Sequence, residues 1–138
     1  MASVEMQAYK ISEIQFINKV KGKEQLTFSN KISYNVKYSQ KQFCEGAMTV
    51  EVFDKEKPDT ISVKFTINGV FRILKDMEKE FIHVETFKEL FPVAKAFAVT
   101  LTANAGIPPI YLKNIDIENQ ENYRMERRYM QDRYSTRD

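Results

Sequence analysis

Few side chains in this sequence could do chemistry, and none has the neighbours that a reaction requires. His83 is the only histidine and has no cysteine or second histidine beside it, so it cannot anchor a zinc site of the usual kinds. We interpret it as a surface or hydrogen-bonded loop residue. Cys44 lacks a local histidine or cationic neighbour that would activate a thiol, and we expect a buried or half-buried small residue. The sequence predicts neither a metal centre nor a reactive nucleophile.

Paired carboxylates are the remaining candidates for acid–base chemistry. Asp54 and Glu56, like Asp116 and Glu118, are explained at least as well as solvated charges in a turn and at a helix start. The four glycines stand alone, so no phosphate-binding loop is present. We therefore expect no enzyme and no cofactor, and infer that the chain works by binding.

Length and composition limit the number of domains, the charged partners and the compartment of the protein. The 138 residues fit one domain, with a sheet at about 8–75 and a helical part at about 85–134. A net charge of +2 gives no field that would draw the chain to nucleic acid or anionic membrane. A single cysteine suits a reducing compartment, and no apolar run approaches the roughly 20 residues of a membrane span. We expect a cytoplasmic protein without membrane insertion.

Alternation of apolar and polar residues is the clearest structural signal. Ile32, Tyr34, Val36 and Tyr38 occupy even positions between polar residues, which is typical of a half-buried strand. Similar patterns predict strands at about 47–54 and 61–73, separated by a turn at 54–59. Asn68-Gly69 is interpreted as a bend in one long strand instead of a hairpin turn. A less regular pattern near 11–20 predicts a bulged or edge strand, which completes a four-stranded antiparallel sheet.

The second half predicts helices. Thr86 and Glu89 form a capping-box pair before the apolar run Leu90 to Ala105, and Gly106 lies where that helix should end. Pro92 suggests either a distinct first turn or a helix that begins near it. A second, polar helix is expected after Glu118.

Only one charged residue, Lys95, lies between Leu90 and Ala105, so two faces of the long helix should be covered. Val93, Phe97 and Thr100 form one of these faces. We expect one face on the sheet and the other on a second subunit. The row rich in small residues is assigned to that oligomer interface: Phe91, Ala94, Ala98, Leu101 and Ala105.

The tail from Glu121 interleaves arginines with Tyr123, Tyr129 and Tyr134, a composition that can bind nucleic acid. Four acidic residues dilute it, and a solvated, salt-bridged helix is the stronger interpretation. The excess of large apolar residues elsewhere has two explanations. They form core and oligomer contacts, or part of them lines an open groove for extended apolar polypeptide.

Several motifs in combination resemble the SecB family of export chaperones. Four strands are followed by Gly69-Val70-Phe71-Arg72-Ile73, by Leu90-Phe91-Pro92-Val93-Ala94-Lys95 at the helix entrance, and by Gly106-Ile107-Pro108-Pro109 at its exit. The resemblance spans roughly Ile11 to Ile117. It implies an α+β fold with a four-stranded antiparallel sheet, a long helix and a C-terminal helix.

The resemblance also implies a homotetramer, a dimer of dimers, that holds unfolded polypeptide in apolar grooves without ATP. The groove positions of the family's second strand fall on Ile32, Tyr34, Val36 and Tyr38, and that of its C-terminal helix on Tyr123. Met130 is a further candidate on that helix.

One departure concerns partners. The family's acidic positions for docking on the export motor SecA are Gln25, Ser29 and Lys64 here, and the acidic tail is replaced by an arginine-rich one. Coupling to SecA is therefore not expected. The alternatives are a structural or adaptor oligomer and a chaperone dedicated to one client, such as an antitoxin.

Overall fold

One four-stranded antiparallel sheet and one long helix make up the part of the chain that the structure describes. The computed structural model describes residues 2–22, 26–39 and 42–113. The strands are β1 (Val4–Asn18), β2 (Phe28–Tyr38), β3 (Phe43–Asp54) and β4 (Ile61–Ile73), and the helix is α1 (Lys79–Asn104). The strand order is β1-β4-β3-β2, so β1 and β2 form the two edges. The predicted α+β fold is confirmed, and the predicted C-terminal helix lies outside the described residues.

The strands have the expected alternation, with one face against α1. In β3 the even positions from Cys44 to Asp54 are buried, and in β4 the odd positions from Ile61 to Phe71 are buried. Because these two strands have neighbours on both sides and the helix above, they supply most of the core, including Met48, Val50, Phe65 and Ile67. The opposite face of the sheet is polar and partly exposed.

All four predicted strands are present, but β1 begins at Val4 and β3 at Phe43, earlier than the predicted starts near 11 and 47. The prediction of one long strand is right, because β4 continues through Asn68-Gly69 without a hairpin turn. The turn after β3 is organised by Asp54, whose buried carboxylate accepts hydrogen bonds from the backbone N–H groups of Thr27 and Lys57 at 2.8 and 2.9 Å. β1 is an edge strand with register shifts between Met6 and Ala8 and between Ile11 and Glu13. Two bulges of this kind interrupt its regular pairing.

The start of the helix was predicted wrongly. α1 begins at Lys79, so Thr86 is a buried residue in the helix interior whose hydroxyl donates to the Ile82 carbonyl oxygen at 2.8 Å. A threonine hydroxyl can bond either a cap amide or the carbonyl four residues earlier, and here it does the second. Pro92 also lies inside the helix. The predicted end is right, since Gly106 follows the last turn with a φ of 88°.

Candidate functional site

The predicted groove residues of β2 lie in one row on the side of the sheet that faces α1. Tyr34 is paired with Met48, Val36 with Gly46 and Tyr38 with Cys44. Their β3 partners are buried, whereas Ile32, Tyr34 and Val36 are only partly buried and Tyr38 is 38% exposed. The difference arises because β2 has a neighbouring strand on one side only. The row therefore presents apolar surface along an edge of the sheet.

Tyr34 is held in place by the first half of the helix. Its hydroxyl donates to Thr86 Oγ1 at 2.5 Å, while its ring meets His83 and Phe87 edge-on at centroid distances of 5.0 and 5.5 Å. Edge-to-face arrangements are favourable for aromatic rings at these distances. Tyr34 thus joins the sheet edge to α1 by a hydrogen bond and two ring contacts.

A glycine on the next strand makes room for this ring. A Cβ on Gly46 would lie 2.8 Å from both Cε1 and Cζ of Tyr34 and would also contact its hydroxyl oxygen. Real Cβ atoms do not approach other atoms this closely. Gly46 is paired with Gly69 on β4, where the side chains of Phe71 and Leu90 occupy the space above the backbone. The two glycines form a depression in the sheet that these larger side chains fill.

Burial favours the neutral forms of the Tyr34 phenol and the Cys44 thiol. Burial raises the pKa of the Tyr34 phenol far above its usual value, because the ionised phenolate would lose its contact with water. Burial also raises the pKa of the Cys44 thiol, which is fully covered near the start of β3. A thiol that resists ionisation is a poor nucleophile at neutral pH. The site offers apolar surface and neutral hydroxyls.

Tyr38 lies at the end of the row, beside the first turn of α1. Its hydroxyl donates to the Lys79 carbonyl oxygen at 3.4 Å, and Lys79 Nζ lies 4.9 Å from its ring centroid. A cation over an exposed aromatic ring adds a modest attraction. The ring remains partly accessible to solvent beside the start of α1. Tyr123 and Met130, the predicted contributors from the C-terminal helix, lie outside the described residues.

The residues assigned to an oligomer interface are mostly inside the chain's own core. Phe91 is 6% exposed, Ala94 fully buried and Ala98 2% exposed, whereas Leu101 and Ala105 are partly buried. These burials leave little of the first three side chains for a second chain. The opposite side of α1 instead forms, with β1, an apolar groove of about 570 Å³ that is lined by Tyr9, Ile11, Pro92, Val93, Ala96, Phe97 and Thr100. The single chain does not test the predicted intermolecular contact.

His83 differs from its predicted setting. It lies in α1, partly buried against Tyr34, instead of in a loop.

Over residues 2–22, 26–39 and 42–113, no three His, Cys, Asp or Glu side chains are grouped as a metal ion would require. Within the same ranges, no helix has the length and apolar character to span a membrane.

The departures noted at the SecA-docking positions lie on β2 and β4. Ser29 is a partly buried residue near the start of β2, and Lys64 lies in the middle of β4 on the face away from the helix. Glu51 is paired with Lys64 across the sheet. Gln25 is not among the described residues.

Two contributors to this site were missed in the sequence. Thr86 was interpreted as a helix cap, although its position four residues after Ile82 allowed the other hydrogen bond. Gly46 had a visible signal, because it occupies a buried even position in the alternating pattern of β3 where the other members have side chains. A glycine there indicates close approach by a neighbouring group.

Comparison with solved structures confirms the SecB-like fold. The SecB-like chaperone Rv1957 of Mycobacterium tuberculosis, solved in complex with a ChAD peptide from the HigA1 antitoxin, has a TM-score of 0.66 and 14% sequence identity to this chain. The match covers 82% of this chain and 91% of that one. A protein of unknown function from Streptococcus agalactiae has a TM-score of 0.48 and 13% identity, covering 80% of this chain and 97% of that one.

Sequence comparisons add one relative. An uncharacterised protein of Methanocaldococcus jannaschii is 26% identical over 118 residues, which cover 79% of this chain and 76% of that protein. No family model matches the sequence. The fold, a four-stranded antiparallel sheet followed by a long helix, is thus SecB-like and divergent in sequence.

Proposed function

We propose that this chain is an ATP-independent chaperone that holds unfolded polypeptide along β2. The observation that carries the proposal is the row Ile32, Tyr34, Val36 and Tyr38, which is apolar, partly exposed and located at an edge of the sheet. Burial of apolar surface is non-directional and contributes about 25 cal/mol for each Å² removed from water. Such a row can hold many sequences without chemistry and without nucleotide.

Similarity to Rv1957 supports a polypeptide as the ligand. That chaperone binds a peptide from an antitoxin, and it shares the fold over most of both chains. We propose that this chain likewise serves one or a few dedicated clients. Coupling to SecA is not part of the proposal, since Lys64 places a positive charge where the motor-docking family members are acidic.

Self-association is a second part of the proposal. The groove between β1 and α1 is lined by apolar residues that its own chain does not fully cover: Tyr9 is 53% exposed, and Val93 and Phe97 are only partly buried. Surfaces of this kind are typical of contacts between chains. We propose that copies of the chain meet here and assemble into a tetramer; sedimentation equilibrium that gives a monomer mass at all concentrations would contradict this.

The function predicts that the purified chain suppresses aggregation of a chemically unfolded model protein at a near-stoichiometric ratio in the absence of ATP. Light scattering after dilution from denaturant measures the effect, and an equal mass of an unrelated folded protein is the control. Aggregation that proceeds equally with and without the chain would overturn the proposal.

A structural or adaptor oligomer is the alternative, and one observation favours it. Tyr34 already has its hydroxyl and ring satisfied by Thr86, His83 and Phe87 of the same chain. In that case the row is an internal seam between β2 and α1. A stable oligomer without affinity for unfolded protein in the same assay would identify this alternative.

A further inference from the structure

The strand β2 carries a regular charge pattern on the face away from the helix. Lys31 and Lys37 are both exposed and lie six residues apart. In the register with β3, Lys31 is paired with Glu51 and Lys37 with Glu45. Opposite charges in directly paired positions stabilise a sheet, and like charges destabilise it. β3 therefore places a glutamate opposite each of the two lysines of β2.

The other face of β2 is matched in the same way by apolar residues. Ile32 is paired with Val50 and Tyr34 with Met48. The β3 segment from Glu45 to Glu51 thus has an acidic residue at each end, with Gly46, Met48 and Val50 on the side that faces the helix and Ala47 and Thr49 on the other side. This segment shows which sequence pattern β2 accepts as a neighbouring strand.

The outer side of β2 is available for a second neighbour of this kind. In the described part of the chain, β2 is hydrogen-bonded to β3 alone. All 11 of its residues pair with β3 without a register shift, so the strand is regular along its whole length. β1 is the poorer template, because its two register shifts disrupt the edge.

We propose that the client segment adds to the outer edge of β2 as a further strand, with an acidic residue opposite each of Lys31 and Lys37. Its pattern over seven residues is acidic, apolar, polar, apolar, polar, apolar, acidic. Main-chain hydrogen bonds supply affinity, the apolar residues extend the row of Ile32, Tyr34 and Val36, and the acidic residues supply selectivity. Because the pattern is symmetric, it is the same for a client strand that runs parallel or antiparallel to β2. The inference rests on the proposed function and defines its substrate class.

Two other occupants of the β2 edge fit this pattern less well: a second copy of β2 and residues 114–138 of the same chain. If two copies of β2 paired antiparallel about Tyr34, Lys31 would lie opposite Lys37 of the partner subunit, which places like charges together. Residues 114–138 contain no seven-residue stretch with the proposed pattern. An acidic-flanked segment from another protein is the occupant that the charges of β2 favour.

The test uses the full chain and capped eleven-residue peptides that contain the seven-residue pattern, with either two glutamates or two lysines at its ends. We expect the glutamate peptide to bind about ten-fold more tightly at low salt, with the preference decreasing as ionic strength rises. Fluorescence anisotropy measures both affinities. Equal affinities, or a preference for the lysine peptide, would overturn the inference.

Charge removal supplies the matched variants. Lys31→Gln plus Lys37→Gln should abolish the preference between the two peptides without placing like charges opposite Glu51 and Glu45, whereas Lys10→Gln plus Lys19→Gln, with the same change in net charge on and beside β1, should retain it. Both lysines of the control pair are exposed. A preference that responds equally to both variants would assign the effect to net charge and contradict the proposed register.

Backbone methylation tests strand addition itself. In an added strand, alternate amide N–H groups point toward β2 and the others point away. N-methylation of one alternate set should abolish binding, and methylation of the other should leave it within about two-fold. Equal effects of the two sets would exclude strand addition.

Failure of the inference is distinguishable from failure of the proposed function. If unfolded model protein is still kept from aggregating while the peptides show no charge preference, the function stands and the strand pattern is wrong. If neither is bound, both fail. Peptide binding that weakens as the protein concentration rises would identify a second copy as the occupant, and binding only after removal of residues 114–138 would identify that segment; either result overturns the inference.

Discussion

Replacing Gly46 with alanine should destabilise the protein by about 2–3 kcal/mol, because the new methyl group cannot coexist with Tyr34 in its present position. A Cβ there would lie 2.8 Å from two ring atoms and closer still to the hydroxyl oxygen. Relief requires the ring to move, which breaks the hydrogen bond to Thr86 and the ring contacts to His83 and Phe87. Urea unfolding followed by circular dichroism measures the loss.

The same substitution in a variant that lacks the Tyr34 ring tests whether that ring is the cause of the destabilisation. In Tyr34→Ala the obstructing ring is absent, so adding Gly46→Ala should cost less than about 1 kcal/mol, and alanine is intrinsically better than glycine in a strand. The difference between the two backgrounds measures the coupling between residues 34 and 46. An equal cost in both would mean that the ring is not what requires glycine at this position.

Two aspartates on the row of β2 should remove most of the affinity for unfolded polypeptide. In Ile32→Asp plus Val36→Asp, two partly buried apolar side chains are replaced by charges that a client would have to desolvate. We expect binding to weaken by at least about thirty-fold, from the loss of about 1 kcal/mol or more of apolar burial at each site. Tyr34 is left in place because its hydrogen bond joins β2 to the helix.

Ser33→Asp plus Asn35→Asp is the matched control, since it adds the same charge to the same strand on the opposite face. At about 0.3 M salt, where the Debye length is about 6 Å, the control should bind within about two-fold of the unmodified chain. Circular dichroism establishes that both variants are folded. Wild-type binding by the first variant would exclude the row as the client site, and so would an equal loss in both. If the first variant unfolds, Ile32→Ser plus Val36→Ser repeats the comparison without added charge.

Alternation in the sequence was sufficient to predict the sheet and the side on which its core lies. The period of two in Ile32–Tyr38 and Ile61–Ile67 reflects the geometry of a pleated strand with one covered face. Combined motifs then identified the SecB-like fold. The helix start could not be predicted in the same way, because a threonine followed three residues later by glutamate is compatible both with a cap and with a helix interior.

The site was only partly predictable for a physical reason. The row of β2 was found because alternation marks it, but its partial exposure depends on strand order, which places β2 at an edge. Strand order arises from contacts between residues far apart in the sequence. Likewise, the burial of Phe91, Ala94 and Ala98 depends on which side of the helix meets the sheet, and both sides of α1 are apolar.

Hydrogen exchange with and without a bound unfolded client tests the central claim most directly. We expect the alternate amides of β2, Phe28–Tyr38, that point away from β3 to exchange at least about ten-fold more slowly when a client is bound, because they gain hydrogen bonds and lose contact with water. Amides of the opposite edge strand β1 should be unchanged. Protection that is absent from β2, or that is confined to β1, would contradict the account.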